Sequence, residues 1–182
     1  GRVTLGGLIG SYAPSNKGMG ELSDCRVRAR MAVRGKNCHT EMGGIVATCG
    51  GTVRNCVFEG ELSVDIPLLD PNKPRSFALG GIVKGGTVSI KDCRSRFSVS
   101  LGETRFSSLK MGGIIGNPFD GSVENCLAEW TISEDCWVKN QSSIGGIAGS
   151  AKTVTNCVFD GSLAVGSSPR IALGGIYGIF WG

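Results

Sequence analysis

The chain is predicted to be all-β, a parallel β-solenoid (β-helix-like) of about five stacked turns, and three observations predict it. Six glycine pairs sit between aliphatic residues, an aliphatic-x-Asn/Asp-Cys element recurs between them, and apolar and polar residues alternate after each of those cysteines. A repeat of this length marks units that cannot bury their apolar face alone and stack in order to do so.

The glycine pairs are Leu5-Gly6-Gly7-Leu8, Met42-Gly43-Gly44-Ile45, Leu79-Gly80-Gly81-Ile82, Met111-Gly112-Gly113-Ile114, Ile144-Gly145-Gly146-Ile147 and Leu173-Gly174-Gly175-Ile176, with first glycines 37, 37, 32, 33 and 29 residues apart. At a corner of a coil one residue needs positive φ or must let a neighbouring turn approach closely, and glycine does both at little steric cost. Paired glycines also cradle phosphate, but that requires a following helix N-terminus or a P-loop lysine and hydroxyl, and neither follows any of the six.

The second element reads Leu22-Ser23-Asp24-Cys25, Val53-Arg54-Asn55-Cys56, Ile90-Lys91-Asp92-Cys93, Val123-Glu124-Asn125-Cys126 and Val154-Thr155-Asn156-Cys157. Five of the eight cysteines hold that slot, which gives five turns and the start of a sixth. Counted from these cysteines, even offsets are mostly small or apolar and odd offsets more often polar, the period of a half-buried strand. Offset six carries Met31, Leu62, Val99, Ile132 and Leu163; offset eight carries Val33, Val64, Leu101 and Val165, with Glu134 read as an early strand end. Offsets two and four trade volume: Phe58 and Phe159 are followed by Gly60 and Gly161, whereas Ser95 and Ala128 are followed by Phe97 and Trp130. Complementary volume is what close packing inside a coil demands.

No apolar stretch of helical period with a capping residue competes with this reading. Thirty glycines in 182 residues, roughly twice the usual share, also disfavour long helices. Turns stacked at about 4.8 Å make a rod on the order of 25 Å long. No linker-like stretch divides residues 1–182, so they read as a single domain.

The stretch Ile144-Gly145-Gly146-Ile147-Ala148-Gly149, continued by Thr153-Val154-Thr155-Asn156-Cys157-Val158-Phe159 and Gly161-Ser162-Leu163, resembles the GLUG-motif repeat family. The resemblance covers nearly the whole chain; Cys25-Arg26-Val27 and Arg94-Ser95-Arg96 depart from the aromatic usual after the cysteine. It implies a secreted or surface-anchored bacterial protein, adhesin-like or associated with immunoglobulin A proteases, with no catalytic residues to carry over. The chain starts at Gly1 on the first repeat and is expected to be excised from a larger protein whose flanking domains are partners. No run of 18 apolar residues is present to insert in a membrane.

Stacked cysteines about 4.8 Å apart are poorly placed for a disulfide, which wants Cβ atoms about 3.8 Å apart. The ladder formed by Cys25, Cys56, Cys93, Cys126 and Cys157 is therefore expected to be buried and reduced, each thiol a small hydrophobe. A straight column also does not converge as a tetrahedral zinc site must. Cys38, Cys49 and Cys136 lie outside the ladder, and a Cys38–Cys49 disulfide is the pairing expected if any forms. No metal or other cofactor is expected.

At offset three stand Arg28, Glu59, Arg96, Glu129 and Asp160, the first four alternating in sign along one face. Such cross-strand pairs discourage a slipped register. The net charge of +4 is concentrated in Arg26, Arg28, Arg30, Arg34 and Lys36 and in Lys84, Lys91, Arg94 and Arg96. A basic patch suits an acidic glycan or a phosphate backbone, but acidic neighbours and the lack of interleaved aromatics argue against nucleic acid as a partner.

Catalysis is not expected. His39 is the one histidine, it has no visible partner and reads as a loop residue, and no cluster of carboxylates is evident. The expected function is a non-catalytic extracellular structural or adhesive module, with a host glycan or host surface protein as partner. The alternative is a carbohydrate-active β-helix enzyme, a polysaccharide lyase or glycoside hydrolase. Insertions in a solenoid emerge on its flank, so the binding candidates are Tyr12 in the stretch from Ser11 to Gly18, Asp70, Lys73 and Arg75 in the proline-rich 66–75 segment, and Trp137 between Glu134 and Ser143. The offset-three register carries its own check: Arg96→Glu should lower the melting temperature more than Arg34→Glu, and equal shifts in thermal unfolding would contradict it.

Overall fold

The computed structural model describes residues 2–12, 20–34, 38–65, 76–102, 105–117, 120–134, 137–138, 140–166 and 171–180. Among them there is no helix, and every strand pairing is parallel. The chain coils through four faces in each turn. The first stacks Arg2–Gly6, His39–Gly43, Ser76–Gly80, Ser108–Gly112, Ser142–Gly145 and Ile171–Gly174. The second holds Ile9–Tyr12, Val46–Cys49 and Val83–Gly85, continued through bridges at Ile115 to Ala148–Ala151 and Tyr177–Phe180. The third stacks Glu21–Ser23, Gly51–Arg54, Thr87–Lys91, Asp120–Glu124 and Thr153–Thr155. The fourth, with the longest strands, stacks Arg26–Arg34, Val57–Asp65, Arg94–Ser100, Leu127–Glu134 and Val158–Val165. The coil is thus the predicted β-solenoid. From the first long strand to the last it makes about four revolutions, one fewer than the five turns expected, because five stacked strands on a face span four intervals.

Register follows the cysteine offsets without a slip. Phe58 faces Ser95, Gly60 faces Phe97, Ala128 faces Phe159 and Trp130 faces Gly161 across neighbouring turns. Leu62, Val64, Val99, Leu101 and Ile132 are buried in one continuous core. The volume trade produces an aromatic file through that core: Phe58 to Phe97 at 5.9 Å, Phe97 to Trp130 at 5.3 Å and Trp130 to Phe159 at 6.4 Å between ring centroids. Two polar atoms beside the aromatic file find partners, Trp130 Nε1 donating to Gly146 O at 2.8 Å and Ser95 Oγ to Gly113 O at 2.6 Å, as buried handles usually do. The fourth-face strand that ends at Glu134 does so at offset eight, and its neighbour ends earlier still, at Ser100.

Two of the coil's corners carry the repeat motifs, and they work differently. Between the first and second faces, the glycine pairs have ordinary φ and serve by close approach. A Cβ on Gly43 would overlap the Val46 carbonyl, and one on Gly44 would overlap both the Gly81 carbonyl of the next turn and the Phe58 ring. The ladder continues through this bend, with Gly44 N donating to Gly80 O at 3.1 Å and Ile45 N to Ile82 O at 3.0 Å. Between the third and fourth faces the positive φ falls on Asp24, Asn55, Asp92, Asn125 and Asn156, at 49 to 57°. Asn and Asp are the side-chain-bearing residues that best tolerate this left-handed conformation, which explains the slot before each ladder cysteine.

The last glycine corner supplies an internal control, because a Cβ on Gly175 would meet nothing within 4 Å. Gly44→Ala should destabilise by about 1–3 kcal/mol or more, as overpacking does, and Gly175→Ala should leave the denaturant midpoint nearly unchanged. A tolerated Gly44→Ala would remove close approach as the reason for the motif.

Candidate interaction face

The outward side of the fourth face collects a dense row of charges, because odd offsets from the cysteines project there. Arg28 and Arg26 converge on Glu59 at 2.8 and 3.1 Å, Arg96 and Arg94 converge on Glu129 at 2.6 Å each, and Arg30 meets Glu61 at 3.2 Å. Arg28 and then Arg26 hold the Glu59 carboxyl below its ordinary value; Arg96, with Arg94 assisting, does the same for Glu129. The offset-three alternation is therefore real, and each Glu is shared between two arginines, one at offset one and one at offset three.

A shallow groove of about 650 Å³ crosses the first three strands of this face, lined by Arg28, Arg30, Glu59, Glu61, Arg96 and Ser98, with Ala29, Gly60 and Phe97 between the two charged rows. Its arginines keep much of their surface in water, 78% for the Arg28 side chain and 83% for Arg30. Guanidinium forks offer several N–H groups to carboxylate, sulfate or phosphate oxygens, and the interspersed glutamates accept from hydroxyls. The chemistry available is recognition of a polar, anionic surface.

A second charged centre lies on the second face, at Lys84. Lys84, counted above with the basic clusters, is 6% exposed. Its Nζ lies 2.8 Å from Glu41 Oε1 of the preceding turn, and Arg2 approaches the other carboxylate oxygen at 2.7 Å. Burial by itself would raise the Glu41 pKa, but Lys84 and Arg2 together hold it below its ordinary 4.5. The equivalent residues of the other turns are Gly10, Ala47, Gly116, Gly149 and Gly178, and the added Cβ atoms of the last three would overlap backbone. A lysine in a column of small residues was the available signal of an occupied crease.

The ladder cysteines are free thiols, as expected, but only Cys56, Cys93 and Cys126 are buried, whereas Cys25 and Cys157 at the ends of the ladder are half-buried. Each of the five donates to the carbonyl two residues earlier at 3.1 to 3.2 Å. Cys56, Cys93 and Cys126 in turn donate a backbone N–H to the sulfur of the next turn, 3.4 Å away. Beside them runs an amide file: Asn55 Nδ2 to Asp24 Oδ1 at 2.5 Å, Asn125 Nδ2 to Asp92 Oδ1 at 3.2 Å and Asn156 Nδ2 to Asn125 Oδ1 at 2.8 Å.

The Cys38–Cys49 disulfide does not form. Both are free and buried, Cys38 beside Thr40 Oγ1 at 3.7 Å and Cys49 near Gly50 O at 3.5 Å. They belong to different faces, Cys38 just before the first and Cys49 ending the second, and burial pushes the Cys49 thiol up to about 11. Cys136 lies outside the described residues.

Other positions need revision as well. His39 opens a first-face strand instead of lying in a loop, and its Nδ1 is 2.7 Å from Ser76 Oγ. The backbone of Tyr12 ends a second-face strand paired with Cys49, and that of Trp137 pairs with Arg105 in a short two-stranded flank. The structure therefore does not bring these two candidates together. Asp70, Lys73 and Arg75, and the rings of Tyr12 and Trp137, lie outside what is described.

No protein-family model, curated protein or solved structure matches this chain. Removing one partner of a buried pair typically costs about 3–5 kcal/mol, against about 0–1 for an exposed pair. Lys84→Met should therefore lower thermal stability well beyond Lys152→Met, whose partner Asp120 is exposed. Because the folded Glu41 pKa is depressed, its contribution is present above pH 4.5 and lost as pH falls through the lowered value; the Lys84 variant should lose this acid-side slope. Equal melting shifts in the two variants would contradict the buried pair.

Proposed function

We propose that the chain is a non-catalytic extracellular module, structural or adhesive, of a bacterial surface or secreted protein, whose fourth face contacts a host glycan or host surface protein. The observation that carries the reading is the fate of the acidic residues on that face. A hydrolase needs a carboxyl held up near working pH as general acid, whereas Glu59 and Glu129 are each held down between two arginines. Among the described residues no three of His, Cys, Asp and Glu gather to hold a metal ion. What faces water instead is a row of guanidinium groups on Arg26, Arg28 and Arg30, alternate residues of one strand that continues past Ala32 to Arg34, and along a strand that places the three about 6.6 Å apart. That spacing offers a linear anion repeated contacts without any movement of the scaffold.

The GLUG-like repeat supports an outer-surface setting and a place among further domains of a longer chain. The test is binding of the 182-residue chain to arrayed glycans, mucin and matrix proteins. The expected result is salt-sensitive binding to an acidic glycan or acidic host protein that weakens at least tenfold in the double variant Arg28→Ser, Arg30→Ser. Loss only on deleting residues 66–75 would move the contact to that segment. Release of cleaved sugar would overturn the reading in favour of a carbohydrate-active enzyme.

A further inference from the structure

The two rows that wall the groove differ in how they continue along the coil. At offset three the row stays ionic, with Arg28, Glu59, Arg96, Glu129 and Asp160 in register. At offset five it runs Arg30, Glu61, Ser98, Thr131 and Ser162, so charge gives way to hydroxyls after the second strand. Offset seven carries Ser63, Ser100 and Ser133 on the same strands. Ser98, Ser100, Thr131 and Ser133 are all exposed. Val57–Asp65, Arg94–Ser100 and Leu127–Glu134 each have a strand on both sides, so the change from charge to hydroxyl lies within the face and not at its edge.

The ion pairs differ in the same direction. Glu59 and Glu129, each with two arginines, keep 24% and 20% of their side-chain surface, whereas Glu61 keeps 58% and meets Arg30 Nε at 3.2 Å. A pair so exposed is worth about 0–1 kcal/mol, so an incoming acid can take the outer nitrogens of Arg30 without undoing a strong contact. Beyond Arg30 the groove offers hydroxyl chemistry: Glu61 accepts, and Ser98 and Thr131 both donate and accept. A uniformly acidic polymer would meet Glu61 and Glu129 there, and Leu127–Glu134 carries no cation to receive it. A protein partner would lack an anchor, since interface centres are built on aromatic and other large side chains and no apolar residue stands at offsets three, five or seven of these three strands.

We propose, resting on the function stated above, that the groove takes the acidic end of an otherwise neutral oligosaccharide, with one carboxylate or sulfate ester at Arg30 and the neutral rings laid along the coil axis over Ser98 and Thr131. The planar fork of Arg30 can pair with two oxygens of either acid. Arg26 and Arg28, already engaged by Glu59, add attraction for the acid without being its anchor. Three rungs separate the strand of Arg30 from that of Thr131, a run of about 14 Å. Over that run successive rings meet Glu61, then Ser98, then Thr131.

The probes are cellotetraose, cellotetraose with a carboxylate or a sulfate ester at carbon 6 of its non-reducing end, and a uniformly sulfated heparin octasaccharide, each titrated against the 182-residue chain. At least one end-acid tetramer should bind about tenfold more tightly than cellotetraose, as one charge-assisted contact allows, and the better of the two names the acid. Arg30→Gln should abolish that difference. The double variant Ser98→Ala, Thr131→Ala should weaken the end-acid tetramer severalfold and keep its advantage over cellotetraose; circular dichroism establishes that both variants are folded. A nitroxide on the reducing end should broaden amides of Leu127–Glu134 more than those of Arg26–Arg34. End-acid tetramers no tighter than cellotetraose, indifference to the Ser98 and Thr131 changes, or equal broadening of the two strands overturns the proposal. Octasaccharide binding that needs Arg28 and Arg30, with the tetramers silent, overturns it and leaves the broader reading of the face standing, whereas silence of every probe at millimolar concentration overturns it and counts against that reading too.

Discussion

The closeness of backbone to backbone at the glycine corner is the constraint on which the rest of the coil depends. The carbonyl three residues on lies where the first glycine would carry a Cβ, and the next turn's carbonyl lies where the second would. With the bend this tight, first and second faces meet without interrupting the ladder, and the aromatic side chains of the fourth face can reach across the core to the corner. Phe58, Phe97, Trp130 and Phe159 each contact or nearly contact the second glycine of their own turn. The pair and the aromatic file are therefore one packing unit, although thirteen to seventeen positions separate each second glycine from its ring in the chain.

Most of this was legible because a parallel coil writes each structural column as one recurring letter. The cysteine, the alternation behind it and the trade between offsets two and four all predicted the observed register. Less visible was anything that depends on backbone angle or on depth. Positive φ or close approach was expected at the glycine pairs, and of the two only close approach holds there, while the positive φ falls on the Asn/Asp slot, whose backbone role the sequence did not reveal. The burial of Lys84 was not visible, because charge alone carries no information about a crease. Tyr12, His39 and Trp137 lie in strands too short or too polar for a period of two to register.

The forces in the molecule divide by location. Burial of the central columns supplies the drive to coil, at about 25 cal/mol per Å² of apolar surface removed from water. The exposed arginine and glutamate pairs add little each, but they penalise any turn that slides by one residue, since that would set like charges side by side and turn the apolar set outward. Between these layers the thiol and amide files satisfy backbone and side-chain groups at the Asn/Asp-Cys corner, where the left-handed residue interrupts the strand. Cysteine suits the place because its sulfur is apolar enough to face the core and still gives and takes a weak hydrogen bond.

The parallel ladder also gives the molecule a mechanical grain. Its inter-turn hydrogen bonds all point along the coil axis, so tension applied end to end would pull on successive turns in series and peel them one by one from whichever end is loosest. Force applied across the axis, along the strands, would instead load many rungs at once in shear. A rod of this construction yields readily in length and resists strongly in width.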